Sequence, residues 1–151
     1  MTLLDAPRYD PRRANIIRNS IIATLCAIAL GAVLSYIFWD LPEQHRVNHF
    51  FSLVEKGDLQ SAYGYWNNDP VWRQHSDRYS GYPFADFEKD WGASGDYGVI
   101  HSHKIEITKT VGNGVVMGVD VNGGKTPMFL RVDHKTKEIG FSPVELYVGP
   151  D

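Results

Sequence analysis

Residues 47–63 read VNHFFSLVEKGDLQSAY, two apolar helical faces joined at one Gly-Asp pair. Val47, Phe50, Phe51 and Val54 fall at i, i+3, i+4 and i+7, which is one buried stripe of an α-helix. Gly57 suits a left-handed cap at its end, and Asp58 suits the N-cap of the next helix. Leu59, Ala62, Tyr63 and Trp66 repeat the same spacing, while Pro42 fits the first turn of the preceding helix.

Downstream, Asn67-Asn68-Asp69-Pro70 breaks the second helix, and residues 71–82 are aromatic without a period, so no element is assigned there. A third short helix is expected from Pro83, with Phe84, Phe87 and Trp91 on one face and glycines at 92, 95 and 98 stopping it. From Val99 the period changes to two. Ile105 and Ile107 alternate with Glu106 and Thr108, and Val115, Met117, Val119 and Val121 follow after Gly112-Asn113-Gly114. A two-residue Asn-Gly loop would put the apolar faces out of register. A three-residue loop, 112–114, with Gly114 left-handed pairs Ile107 with Val119 and Ile105 with Val121. Asn122-Gly123-Gly124 turns the chain into Met128, Leu130 and Val132, and Asp133 to Lys137 turns it into Ile139 and Phe141. The fold class expected is α+β: helices first, then an antiparallel meander with the helices packed on one face.

Upstream, Ile21 to Trp39 (IIATLCAIALGAVLSYIFW) carries no charge and is long enough, as a helix, to cross the roughly 30 Å of a bilayer's hydrocarbon. Arg8, Arg12, Arg13 and Arg18 precede it, and Tyr36, Phe38 and Trp39 close it in the manner of an interfacial belt. A cleaved signal peptide has a shorter core and an A-x-A exit, neither of which is present. Leu25 before Cys26 does not match a bacterial lipobox, and Cys26 reads as a small apolar residue within the run. The division expected is a disordered cytoplasmic tail over 1–15, a transmembrane helix over 16–39 and an exported domain over 40–151.

Charge sets the orientation. The residues before the apolar run carry a net +2 and those after it a net −5, and Arg46 is the one basic residue close behind the run. The N-terminus is therefore expected in the cytoplasm and the C-terminal domain in the periplasm or outside the cell. With Cys26 in the apolar run and no other cysteine, the domain has no disulfide and must be held by its core. Net negative charge without a basic run excludes nucleic acid as a partner. No Asn-x-Ser/Thr site, Walker-type loop, zinc-ribbon cysteine set or internal repeat occurs.

The motif Val47-x-x-Phe50-Phe51-x-Leu53-x-x-x-Gly57-Asp58-x-x-x-Ala62-Tyr63, followed by a short helix and long hairpins, resembles the nuclear transport factor 2-like superfamily. That resemblance covers nearly all of the exported part. It implies a cone-shaped α+β domain of the kind shared with cystatin-like proteins, its curved sheet wrapped round the first helices and a pocket at the wide end. Members include isomerases, dehydratases, ligand binders and interaction domains, so the fold does not give the function. In layout alone the chain is similar to type IV secretion inner-membrane scaffold proteins and to proteins associated with mycobacterial lipid-import complexes.

His101 and His103, at i and i+2, would share a strand face with Ile105 and Ile107 and point toward such a pocket. There they could bind zinc with His75 or Asp77, or one could act as a general base. The plain alternative starts the strand at about Lys104 and leaves both in solvated loop. No third ligand stands at fixed spacing, so neither a metal nor a cofactor is expected. His75-Ser76-Asp77 has the residue types of a hydrolytic triad but reads as polar loop, and no catalytic residue is assigned. Tyr65, Trp72, Tyr79 and Tyr82 lack a periodic partner. Tyr65, Tyr79 and Tyr82 join His101 and His103 as pocket candidates, while Trp72, Tyr79 and Tyr82 are interface candidates.

The function expected is that of a membrane-anchored, non-enzymatic interaction or assembly module of the cell envelope. Its partners would be the membrane and envelope proteins, with a homo-oligomer through Gly31-Ala32 and Ser35 left open. The alternative is a small-ligand binder or acid–base enzyme with its pocket in the cone. Filling of that space by Trp66, Phe87 and Trp91 would remove the alternative's site.

Overall fold

A computed structural model describes residues 11–38 and 40–146. The chain divides into two units, residues 1–39 and 40–151. Among the described residues the first holds one helix, α1 (Pro11–Ile37), of 27 residues. Its stretch Pro11–Ser35 is apolar and long enough to cross a membrane, and none of it is buried within the protein. The helix begins five residues before the expected boundary, because Pro11 is tolerated at a helix start and Arg12 to Asn15 continue it. The tail over 1–10 and Trp39 of the expected belt lie outside the described residues.

In the second unit, α2 (Leu41–Glu55) and α3 (Leu59–Trp66) follow the predicted stripes. Gly57 adopts φ +75° at their junction, and the Asp58 N–H returns to the Leu53 carbonyl at 3.0 Å. The Asp58 side chain accepts from the Ser61 N–H at 3.1 Å, which caps α3. A 3₁₀ segment (Trp72–Tyr79), kinked at His75, occupies the stretch left unassigned, and α4 (Phe84–Trp91) is the expected third helix.

The sheet is a four-stranded antiparallel meander in the order β1-β2-β3-β4: β1 (His103–Val111), β2 (Gly114–Val121), β3 (Met128–Asp133) and β4 (Ile139–Phe141). The first hairpin departs from the expected register. Val111 pairs with Gly114, so the loop has two residues, Gly112 and Asn113. Gly112, at φ +61°, is the left-handed residue and Gly114 is not. That loop pairs Ile107 with Gly118, and a bulge between Ile105 and Ile107 then pairs Ile105 with Val119 and His103 with Val121. The extra residue, Glu106, separates the two isoleucines onto opposite faces. Ile105 packs on the core, whereas the Ile107 and Phe129 side chains meet across Gly118 on the other face.

β2 is consequently buried on both faces: Val115, Val116, Met117 and Val119 are all inaccessible. Arg131, next to Val116 in the register, bonds the Val111 carbonyl at 3.0 Å and Asn113 Oδ1. Its stem thereby spans the strand on the side away from the helices. Gly114 is required by space rather than by φ, since a Cβ there would lie 2.5 Å from the Val132 carbonyl oxygen. Gly114→Val is expected to cost about 2 kcal/mol, read as a shift of the chemical-unfolding midpoint of the full chain in detergent. An unchanged midpoint would contradict this register.

The core lies between the helices and the sheet. Phe50, Phe51, Tyr63, Trp66, Phe87 and Trp91 come from the helices, each at most 4% exposed, and Met117, Leu130 and Val132 come from the sheet. Phe50 sits at the centre of the aromatics, with ring centroids 4.8 Å from Trp91 and 5.2 Å from Trp66.

Candidate functional site

The space between helices and sheet, where the alternative reading put a pocket served by the two histidines, is packed with Trp66, Phe87 and Trp91 at 4%, 0% and 3% exposure. His101 and His103 diverge from each other. His101 is exposed in loop, and its backbone N–H bonds Asn122 Oδ1 at 2.8 Å. His103 opens β1 and is clamped on α2. Its Nδ1 is 2.6 Å from Glu55 Oε1, its Nε2 is 3.0 Å from Asn48 Oδ1, and its ring stacks on Phe51 at 4.7 Å. Both ring nitrogens are therefore engaged in joining helix to sheet. His101→Ala is expected to change stability by less than about 0.5 kcal/mol, and His103→Ala to cost about 1–2 kcal/mol. Equal effects in chemical unfolding would contradict the assignment. Among the described residues no group of three His, Cys, Asp or Glu side chains could hold a metal ion.

The remaining candidates form the rim of the aromatic core. Tyr65 and Trp72 line an open groove of about 510 Å³ between α2, α3 and the 3₁₀ segment, with His49, Gln60, Asn68 and Arg73. The Arg46 guanidinium lies 4.3 Å from the Tyr65 ring, and the His49 ring is 4.6 Å from it. Trp72 stacks on Phe84 at 5.1 Å and has the Arg73 guanidinium 5.4 Å over its ring. Its indole N–H donates to the Gln60 carbonyl at 3.2 Å.

Tyr79 and Tyr82 line a second hollow of about 420 Å³ with Arg78, Glu138 and Ile139. Each hydroxyl donates to a carboxylate at 2.8 Å, Tyr79 to Asp69 and Tyr82 to Asp90. Burial, reinforced by the bond to Asp69, pushes the Tyr79 phenol up to about 12. Burial and Asp90 raise Tyr82 likewise. Both phenols are thus held as proton donors and not as bases. His75 bonds Asp69 Oδ2 at 2.8 Å and not its sequence neighbour Asp77. The bond from His75 holds the Asp69 carboxyl below the usual range against the opposing effect of burial, with help from Tyr79.

One buried charge had no signal in the sequence. Glu43, in the first turn of α2, is 2% exposed. Its Oε1 accepts from Lys137 Nζ at 2.6 Å and from His134 Nδ1 at 3.1 Å, while Oε2 is buried without a partner among the described residues. Burial alone would raise this carboxyl, but the bonds from Lys137 and His134 outweigh it and lower the pKa. Nearby, Arg46 donates to the Tyr65 carbonyl at 2.7 Å and to Asn68 Oδ1 at 3.0 Å, and Asn68 Nδ2 donates to the Thr136 carbonyl at 3.0 Å. These groups fasten the start of α2 and the end of α3 to the β3–β4 turn; Asn68, just past α3, and Lys137, in the turn, both adopt positive φ. The arrangement is a structural clamp, with one carboxylate shared by two donors. No protein-family model, no curated protein and no solved structure matches this chain.

Proposed function

We propose that the protein is a single-pass membrane protein whose exported C-terminal domain, of the nuclear transport factor 2-like kind, works as an interaction or assembly module of the cell envelope. The observation that carries this reading is the packed interior. Trp66, Phe87 and Trp91 occupy the space a cone pocket would need, and the half-buried aromatics lie at the surface instead. An anchor suits such a role, because tethering raises the effective concentration of the domain against other membrane components. The arginines before the uncharged run Ile21–Trp39 and the acidic balance after it support an N-terminus in the cytoplasm. The order of two helices, a short helix and a meander supports the resemblance in fold. A second reading, small-ligand binding, is favoured by the groove of about 510 Å³ at Tyr65 and Trp72, which is open at the surface and lined by both aromatic and polar groups.

Photo-crosslinking tests the proposal. Benzoylphenylalanine in place of Val71, Phe141 or Lys125 in the full chain, in intact membranes, should give discrete protein adducts from Val71 or Phe141. Absence of protein adducts from all three positions would overturn the interaction reading.

A further inference from the structure

We infer that the free edge of β4 receives an extended peptide segment of a partner protein, apolar at alternate positions and flanked by basic residues, as an added strand. The inference rests on the reading of the domain as an interaction module and gives that module a site.

The ladder fixes which groups are available. The Asp133 N–H bonds the Glu138 carbonyl, and the Ser142 N–H bonds the Phe129 carbonyl. Bonded and non-bonded pairs alternate along an antiparallel ladder, so Gly140 exchanges its bonds with Arg131. The N–H and C=O groups of Ile139 and Phe141 therefore face the outer edge, where no hydrogen bond to a described residue takes them up. The opposite edge strand, β1, carries Lys104, Glu106 and Lys109 and a bulge, which are the usual means of preventing strand addition. β4 reads Ile139-Gly140-Phe141 and has neither a charge nor a bulge.

Two hollows stand beside this edge. Ile139 lines the one formed with Trp66, Tyr79 and Tyr82, of about 420 Å³. Phe141 lines another, with Trp91, Tyr97 and Met128, of about 450 Å³. Ile139 and Phe141 are two residues apart on one face, roughly 6.6 Å along the strand. Alternate side chains of an incoming strand have the same separation, so one enters each hollow while the backbone pairs with β4. Phe141 is 50% exposed yet held in parallel contact with Trp91, the centroids 5.9 Å apart, as a fixed aromatic anchor. The rim of its hollow carries Asp90 and Asp96 against Lys89 alone, which favours lysine or arginine beside the apolar positions.

The test uses the full chain in lipid nanodiscs and, as probe, a fluorescent peptide of about nine residues, the length of a long strand. Threonine alternates with phenylalanine and leucine in it, and lysine stands at both ends. Saturable binding is expected, weakened about tenfold or more by Phe141→Ala. N-methylation of the peptide's edge-facing amides should abolish it. Asp96→Lys, an exposed change that leaves the core untouched, should weaken this peptide and strengthen one with glutamate ends. Near-UV circular dichroism verifies that the Phe141→Ala chain is folded. No saturable binding, or equal binding after N-methylation or Phe141→Ala, would overturn the inference. So would a dimer of the chain that Phe141→Ala dissolves, because β4 would then pair with a second copy. Protein adducts from Val71 together with a negative peptide result would remove the edge site and leave the interaction reading standing.

Discussion

Replacing Phe50 by alanine is expected to cost about 4 kcal/mol, the upper part of the range for deleting a buried aromatic. Phe50 is inaccessible to solvent and meets Phe51, Trp66, Phe87 and Trp91 at centroid distances of 4.8 to 6.2 Å. Four large rings cannot close in on the space left by a fifth without leaving their own contacts, so the cavity persists. Domains of this size have about 5–15 kcal/mol of stability, and such a loss lowers the midpoint by roughly 15–30 °C. The readout is the thermal midpoint of the near-UV aromatic signal, which follows the packed rings of the core and to which α1 contributes a single tyrosine, Tyr36. Phe141→Ala is the control. Half exposed at the rim, it should cost only about 1 kcal/mol. A Phe50→Ala chain as stable as wild type would mean that the aromatic interior is not the packed core described.

Lys137→Met should be nearly as damaging, at about 3 kcal/mol, because it leaves the Glu43 carboxylate buried with His134 as its one remaining side-chain donor among the described residues. Removing both charges, with Glu43→Met and Lys137→Met together, should restore part of that loss, since the uncompensated charge disappears. The sign of the pH dependence follows from the lowered Glu43 pKa. Below the ordinary value of 4.5 the unfolded chain takes up a proton that the folded chain refuses. The contribution is therefore complete above about pH 4.5 and lost as pH falls through the folded value. In Lys137→Met burial has less to oppose it, and this loss of stability in acid should shrink or change sign. Chemical unfolding at pH 7 and at pH 4 measures both effects. A double variant no more stable than Lys137→Met, or an unchanged acid slope, would contradict the role given to Glu43.

The helices were legible because each repeats apolar residues on one face: Val47 to Val54 on α2, Leu59 to Trp66 on α3, Phe84 to Trp91 on α4. The first hairpin was legible as a hairpin but not in register. Val111-Gly112-Asn113-Gly114 offers two glycines for one left-handed position, and matching the apolar faces selects the wrong one once a bulge intervenes at Glu106. Period-two alternation also shows only one buried face of β2. Burial of Val116 depends on Arg131 reaching across from β3, which no local pattern announces. The site residues divide in the same way. Tyr65, Trp72, Tyr79 and Tyr82 stood out for lacking a periodic partner, and all four lie on the rim of the core. Glu43 lies 94 residues from Lys137 and His103 lies 48 from Glu55, so their pairing is a product of the tertiary fold.

The most direct test of the membrane-anchored, exported arrangement uses the fact that Cys26 is the chain's one cysteine. In a Cys26→Ala background, Thr2→Cys and Lys125→Cys report the two ends separately to a membrane-impermeant maleimide. Lys125→Cys should be labelled on intact cells whose outer layers are permeable to the reagent. Thr2→Cys should be labelled only after the inner membrane is opened, and both chains should stay in the membrane fraction after an alkaline wash. Labelling of Thr2→Cys but not Lys125→Cys on intact cells, or release of the chain by the wash, would contradict that arrangement.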